Sequence, residues 1–234
     1  WMVSSNGGQI DKVDTGSLTG SQTSGRLPDG STNIVRPLGV ATPEASNFQL
    51  ITNVVFNELL THTDPPLEDA IEFYNPTATD FPIGNFWLSD SLSDAKKYRI
   101  PAGTVVPALK YKVFYEYIDG SPGSGFNWDG TGTNRMFTLN SSRGGQVCLY
   151  SASNNAVGTL TGARLTRAFD PAQNSVSFGR YTNSQGSVHF VPMSLRTFGV
   201  DTPSSPSNFR QGAGLSNAYP RIGPLVINEI MYHP

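Results

Sequence analysis

Residues 53–76 read NVVFNELLTHTDPPLEDAIEFYNP. From Asn53 to His62 the side chains alternate: Phe56, Glu58, Leu60 and His62 share one face, and Val55, Asn57, Leu59 and Thr61 the other. A period of two is the mark of a β-strand. The acidic turn TDPPLED follows, and AIEFYNP (70–76) is a second strand. Asn75-Pro76 stops it, because the residue before a proline is held extended and proline has no N–H.

The same grammar continues downstream. NFWLSD (85–90) reads as a strand, and YRIPAGTVVP (98–107) as a short strand with a Pro-Ala-Gly turn. LKYKVFYEY (109–117) sets Leu109, Tyr111, Val113, Tyr115 and Tyr117 against Lys110, Lys112, Phe114 and Glu116. A Gly-rich loop spans 119–134, and RMFTLN, QVCLYS, SVSFGR and SVHFVP supply further strands. No stretch carries a 3.6-residue period. About eight short strands broken by turns predict an all-β chain, folded as a β-sandwich.

Composition agrees. The 234 residues suffice for one large or two small domains. Apolar residues make up 37%, with 13 Phe and 9 Tyr to build a core, while 24 Gly and 17 Pro serve turns. A net charge of −2 without Lys/Arg clusters beyond Lys96-Lys97 argues against nucleic acid as a partner. The single cysteine, Cys148, allows no internal disulfide. No apolar run reaches the roughly 18 residues of a membrane span. The opening on Trp1, without a signal-peptide pattern, reads as a processing or excision boundary.

The chain also repeats itself. Ser4 to Ile10 matches Ser141 to Val147, Gly25-Arg26 matches Gly179-Arg180, and Leu38 to Pro43 matches Phe198 to Pro203. Ser46-Asn47-Phe48 matches Ser207-Asn208-Phe209, and Asn57-Glu58 matches Asn228-Glu229. The order is kept while the spacing grows, as loop insertions in the second copy would produce. The largest insertion is placed around SASNNAVGTLTGARLTRAFDPAQ. The predicted layout is the back half of one repeat at 1–48, a whole repeat at 49–210, a linker at 211–224 and the first strand of another repeat at 225–234.

These phrases, in this order, resemble the lamin tail domain, an immunoglobulin-like β-sandwich, in its bacterial extracellular form. VVFNELLTH, DAIEFYNPTATDFPIGNFWLSD, YRIPAGTVVPALKYKVFYE, FTLNSSRGGQVCLYS, SVSFGRY, DTPSSPSNF and LVINEIMYHP carry the resemblance. Two features depart from it: the long segments at 119–134 and 150–172, and Phe86-Trp87 where Gly-Trp is usual. The resemblance implies a non-catalytic binding and architectural repeat of a secreted, cell-surface protein, sometimes accessory to an enzyme. Its partners would be adjacent repeats, other copies of the chain, or extracellular polysaccharide or protein.

Several residues are candidates for chemistry. Glu58 and Glu72 lie in apolar strands; they form an acid–base pair if adjacent, or accept structural hydrogen bonds. Asp64, Glu68 and Asp69, with Asp90 or Asp94, could serve calcium, or simply be solvated turns. Phe126, Trp128 and Asp129 in the Gly-rich loop suit contact with a sugar or a neighbouring surface. His62, His189 and His233 are too dispersed for a metal site. Cys148 and Trp87 read as packing residues. No Ser-His-Asp order, phosphate loop or dinucleotide fingerprint is present. Finally, Leu225, Val226, Ile227, Asn228, Glu229, Ile230 and Met231 form a strand that a neighbouring chain could accept by strand addition, which would build a head-to-tail filament. The plainer alternative is that 1–234 is a window on a longer tandem array.

Overall fold

A computed structural model describes residues 2–3, 5–14, 16–36, 38, 41–117, 125–127 and 136–223. Two small hairpins come first: β1 (Met2–Val3) pairs with β2 (Gln9–Asp11), and β3 (Gly25–Arg26) with β4 (Ile34–Val35). Next come β5 (Gln49–Leu50), β6 (Val55–Leu60), β7 (Ala70–Tyr74), β8 (Phe81–Pro82), β9 (Trp87–Ser89) and β10 (Tyr98–Arg99). They are followed by β11 (Val105–Val106), β12 (Tyr111–Tyr115), β13 (Gly145–Ala152), β14 (Leu160–Phe169), β15 (Ser177–Thr182) and β16 (Val188–Pro192). The helical turn α1 (Pro206–Phe209) closes the series.

Pairing sorts most of these strands into two five-stranded sheets, ordered β10-β9-β13-β14-β5 and β12-β7-β6-β15-β16. Phe56, Leu59, Ile71, Phe73, Phe114 and Phe178 of the second sheet share one core with Leu88, Tyr98, Val147, Leu149 and Phe169 of the first. Phe56 and Phe73 lie 4.6 Å apart, and Phe114 meets both Phe73 and Tyr98 edge-on. Each such ring contributes about 1.5–3 kcal/mol by leaving water. The chain is therefore all-β, with two sheets packed as a sandwich.

Three expectations about strands are corrected. The strict alternation of residues 53–62 fails at a β-bulge, where the β6–β7 register slips between Phe56 and Glu58. The extra residue turns Phe56 and Leu59 into the core, and leaves Glu58 and Leu60 on the opposite face. The supposed loop insertion after Tyr150 contains the longest strand, β14, whose ten residues run antiparallel to β13. Its Arg and Thr content concealed a strand whose outer neighbour, β5, pairs with it only at Ala163 and Arg164. RMFTLN, conversely, forms no strand over its described residues 136–140, although Phe137 and Leu139 are buried.

Beyond β16 the chain crosses the outer face of the second sheet as a strap. Pro206 opens α1, and the Ser205 hydroxyl caps it by accepting from Asn208 N–H (3.2 Å). Phe198 and Phe209 then cover Leu60, Ala70, Val113 and Tyr115 in a second apolar cluster. Residues 211–223, expected to be a linker, lie against this face. Leu215 N–H donates to the Thr197 carbonyl (2.8 Å), Tyr115 Oη to the Gly212 carbonyl (2.8 Å), and Arg221 N–H to the Pro192 carbonyl (2.8 Å). At the opposite side, β5 runs parallel to the start of β14, Leu27 rests on Gly162, and the Arg164 guanidinium stacks on Phe48 at 3.9 Å. No helix among the described residues is long and apolar enough to cross a membrane.

Candidate functional site

The bulge in β6 has a chemical consequence. It brings Asn57, Glu58 and Glu72 together on the face that the strap covers, with Glu58 directly opposite Glu72 in the β6–β7 ladder. Both carboxyls are 0% exposed. Glu58 accepts from the Ser177 and Thr197 hydroxyls and from Thr197 N–H (3.1 Å). Glu72 accepts from the Asn57 amide (2.6 Å). Asn217, on the strap, takes a second hydrogen bond from the Asn57 amide (2.8 Å) and donates to the carbonyls of Asn57 (3.0 Å) and Arg180 (2.8 Å). Burial pushes Glu58 up to about 7 despite its hydroxyl donors. Glu72 is pushed up to about 9, first by burial and then by the neighbouring Glu58. At neutral pH Glu72 is thus a neutral acid, which is how a carboxyl survives in such a place. The pair is adjacent, but the strap seals it: a Cβ on Gly214 would come within 2.4 Å of Glu72 Oε2. The arrangement serves to tie strap to sheet.

A second acidic group lies at the end of the same sheet. Glu68, Asp69 and Glu116 line a groove of about 450 Å³ with Thr63, Tyr117 and Arg210. Arg210 grips Glu68 through two contacts, Nε to Oε1 (2.9 Å) and Nη2 to Oε2 (2.7 Å). Asp69 accepts from the Thr63 hydroxyl (3.1 Å), and Glu116 from Asn127 (2.7 Å). Burial, and then the Glu116 charge, push Asp69 up to about 7. Burial also raises Glu68 above its ordinary value, outweighing Arg210. The calcium expectation finds no geometric support. Asp64 is turned to Asn174, Glu68 is committed to Arg210, and among the described residues no three or more potential ligands converge.

The loop residues divide. Phe126, expected at a contact surface, is 1% exposed and stacks on Phe137 at 5.0 Å. The reason is a close approach of main chains: Gly125 sits so near the Glu116 carbonyl that a Cβ would lie 2.2 Å from it, which draws Phe126 under the sheet. Trp128 and Asp129 lie outside the described residues. So do Leu225, Val226, Ile227, Asn228, Glu229, Ile230, Met231 and His233. His62 bonds the Ala172 carbonyl, and His189 lies apart beside Asn183. Trp87 packs as expected, but on the outer face of its sheet with Cys148 and Tyr150, where its Nε1–H donates to the Gly158 carbonyl (3.0 Å). Burial raises the Cys148 thiol.

Sequence reasoning missed Asn217 and misplaced Asn47. The β3–β4 hairpin sets Gly25 opposite Val35 and Arg26 opposite Ile34; the β15–β16 hairpin sets Gly179 opposite Val191 and Arg180 opposite Phe190. Asn47 donates to the Arg26 carbonyl (3.1 Å) as Asn217 does to that of Arg180. Each glycine makes room for its asparagine, since a Cβ would lie 2.8 Å from Asn47 Nδ2 at Gly25 and 3.0 Å from Asn217 Nδ2 at Gly179. The phrase Ser-Asn-Phe matches Asn47 with Asn208, yet Asn208 lies in α1. The only available sequence signal is a shared Gly-Arg followed by an asparagine at unequal distance.

No family model, curated protein or solved structure matches this chain.

Proposed function

We propose that this chain is a non-catalytic structural and interaction module, built from copies of one immunoglobulin-like sandwich of lamin-tail type, and that it belongs to a secreted bacterial surface protein. The observation that carries the reading is the pair of hairpins: the same Gly-Arg register and the same asparagine clamp occur at Gly25–Arg26 and at Gly179–Arg180, in one chain. The burial of both strand carboxyls under the strap supports a holding rather than a chemical role for them. Work of this kind is done by surfaces and sheet edges, and adjacent repeats are the partners that such units contact first.

Residue-resolved hydrogen exchange tests the duplication. The amides of Leu27 and Leu38, which bond Asn33 and Thr23, exchange slowly if the first hairpin is a built element. Asn47→Ala then speeds exchange in that hairpin alone, and Asn217→Ala in β15 and β16 alone. Turnover of a polysaccharide or peptide that is lost on Glu58→Gln or Glu72→Gln would overturn the non-catalytic reading.

A further inference from the structure

We propose that the outer edge of β3 is an acceptor for an added β-strand, and that its occupant is the Asn228-Glu229 segment of a second copy of this chain. The proposal rests on the duplicated unit argued above and names the contact that the unit makes.

The edge is defined by hydrogen-bond alternation. Leu27 N–H donates to the Asn33 carbonyl, and Gly25 pairs with Val35. In an antiparallel ladder the intervening residues turn their main chains the other way. Arg26 does so, and its carbonyl is taken by Asn47. Ser24 does so too, and neither its N–H nor its carbonyl has a partner among the described residues. In the second hairpin the same place, one residue before the glycine, belongs to Phe178, which is paired with Leu59 of β6. The first hairpin thus lacks, among the described residues, the strand that β6 provides to the second.

The sequence of the missing strand is legible from β6. Residues 54–60 read VVFNELL, and residues 225–231 read LVINEIM: apolar at every apolar position, with Asn-Glu in the middle. Carrying the β6–β15 register across sets Ile230 opposite Ser24 and Glu229 opposite Gly25. Asn228 then meets Asn47, as Asn57 meets Asn217. Thr23 stands where Ser177 supplies a hydroxyl to Glu58. Main-chain bonds would give the affinity, and Ile227 and Ile230 the fit of alternating side chains.

Reach favours a second copy over the same chain. Gly223 lines a cavity with Pro171 and Gln173, beyond the far end of β14, whereas Leu27 rests on Gly162 near its start. Seven strand residues separate Gly162 from Phe169, about 23 Å. The seven residues from Gly223 to Ile230 span at most about 25 Å fully extended. Nothing is left over to turn antiparallel to β3. A donor and an acceptor at opposite ends of one molecule make a head-to-tail contact, which propagates into an open series.

Sedimentation velocity on the full chain and two variants tests this. Ser24→Pro removes an N–H that bonds nothing in the hairpin, and Asn228→Pro disables the donor without touching the acceptor. The unmodified chain is expected to form a concentration-dependent series, and each variant alone to associate at least about tenfold more weakly. Mixed in equal amounts, the two variants should give pairs and stop there, because each pair has one working donor and one working acceptor. A labelled peptide of residues 224–234 should bind the Asn228→Pro chain. A chain that stays monomeric to about 0.3 mM and ignores the peptide overturns the proposal. So does an Asn228→Pro effect on hairpin exchange with no change in mass, which would mean insertion within one chain. If the first hairpin exchanges slowly while association fails, the acceptor alone is wrong; if the hairpin is unprotected, the duplicated unit falls with it.

Discussion

Two groups of carboxylates lie on one sheet and meet different fates. Glu58 and Glu72 sit at its centre under the strap, wholly removed from water and held by Ser177, Thr197, Asn57 and Asn217. Glu68, Asp69 and Glu116 sit at its end, lining an open groove, and one of them is gripped by Arg210. The first group is handled by neutralisation and hydrogen bonds, the second by a counter-charge at Glu68 and by hydrogen bonds to Asp69 and Glu116. The difference teaches that what a carboxylate does here depends less on its strand than on what crosses above it.

The comparison breaks most violently at Gly214. Its φ of +87° and the 2.4 Å gap from an added Cβ to Glu72 Oε2 leave no room for a side chain. Gly214→Val should lift the strap and cost more than about 4 kcal/mol, read as the chemical-denaturation midpoint. An intact midpoint would mean that the strap is not what seals the pair. Asn217→Ala is gentler. It orphans the Arg180 and Asn57 carbonyls and part of the Asn57 amide, at about 1–3 kcal/mol for a buried group left unpaired.

The pH response separates the groups more finely. Folded Glu58 and Glu72 hold their protons to about 7 and about 9, against an ordinary value of 4.5. The folded state therefore binds more protons than the unfolded one between pH 4.5 and those values, and stability falls as pH rises through them. Between pH 7 and 9 the slope due to Glu72 approaches about 1.4 kcal/mol per unit. Glu72→Gln should flatten the decline that begins above about pH 4.5 while leaving stability near about pH 4 little changed; a slope unaltered by the substitution would assign it elsewhere. Arg210→Met should have the smallest effect, about 1 kcal/mol, because the arginine is partly solvated. The loss should grow with rising pH, as Glu68 gives up the proton that would otherwise compensate it. A pH-independent loss would mean that Arg210 acts through packing alone.

Much of the fold was legible. The strands read at 70–76 and 109–117 became β7 and β12, and because β12 is regular both of its sides follow from its period. The β6 faces were misread because a bulge shifts the period by one residue, and the bulged residue, Asn57, is unremarkable until its amide meets Glu72. β14 was missed because most of its residues are only half-buried, so that arginines and threonines break up the apolar run expected of an inner strand. Of the candidate site, Glu58 and Glu72 were picked out by their apolar setting. Asn217 was not, because nothing local distinguishes an asparagine in a Gly-Ser-Asn-rich segment from one in a free loop.

The sequence by itself determined that this is an all-β chain with strands at the places where side chains alternate, since that period is local and needs no partner. It also determined that Gly-Arg and Asn-Glu recur, because a repeat is a property of the string. Only the tertiary structure decided which side of each strand faces the core, that residues 193–223 fold over the sheet, and that Asn47 and Asn217 do the same work at different spacings. Those outcomes depend on what approaches from far along the chain: a carbonyl, a carboxyl or a strap backbone at hydrogen-bond distance, which no local pattern encodes.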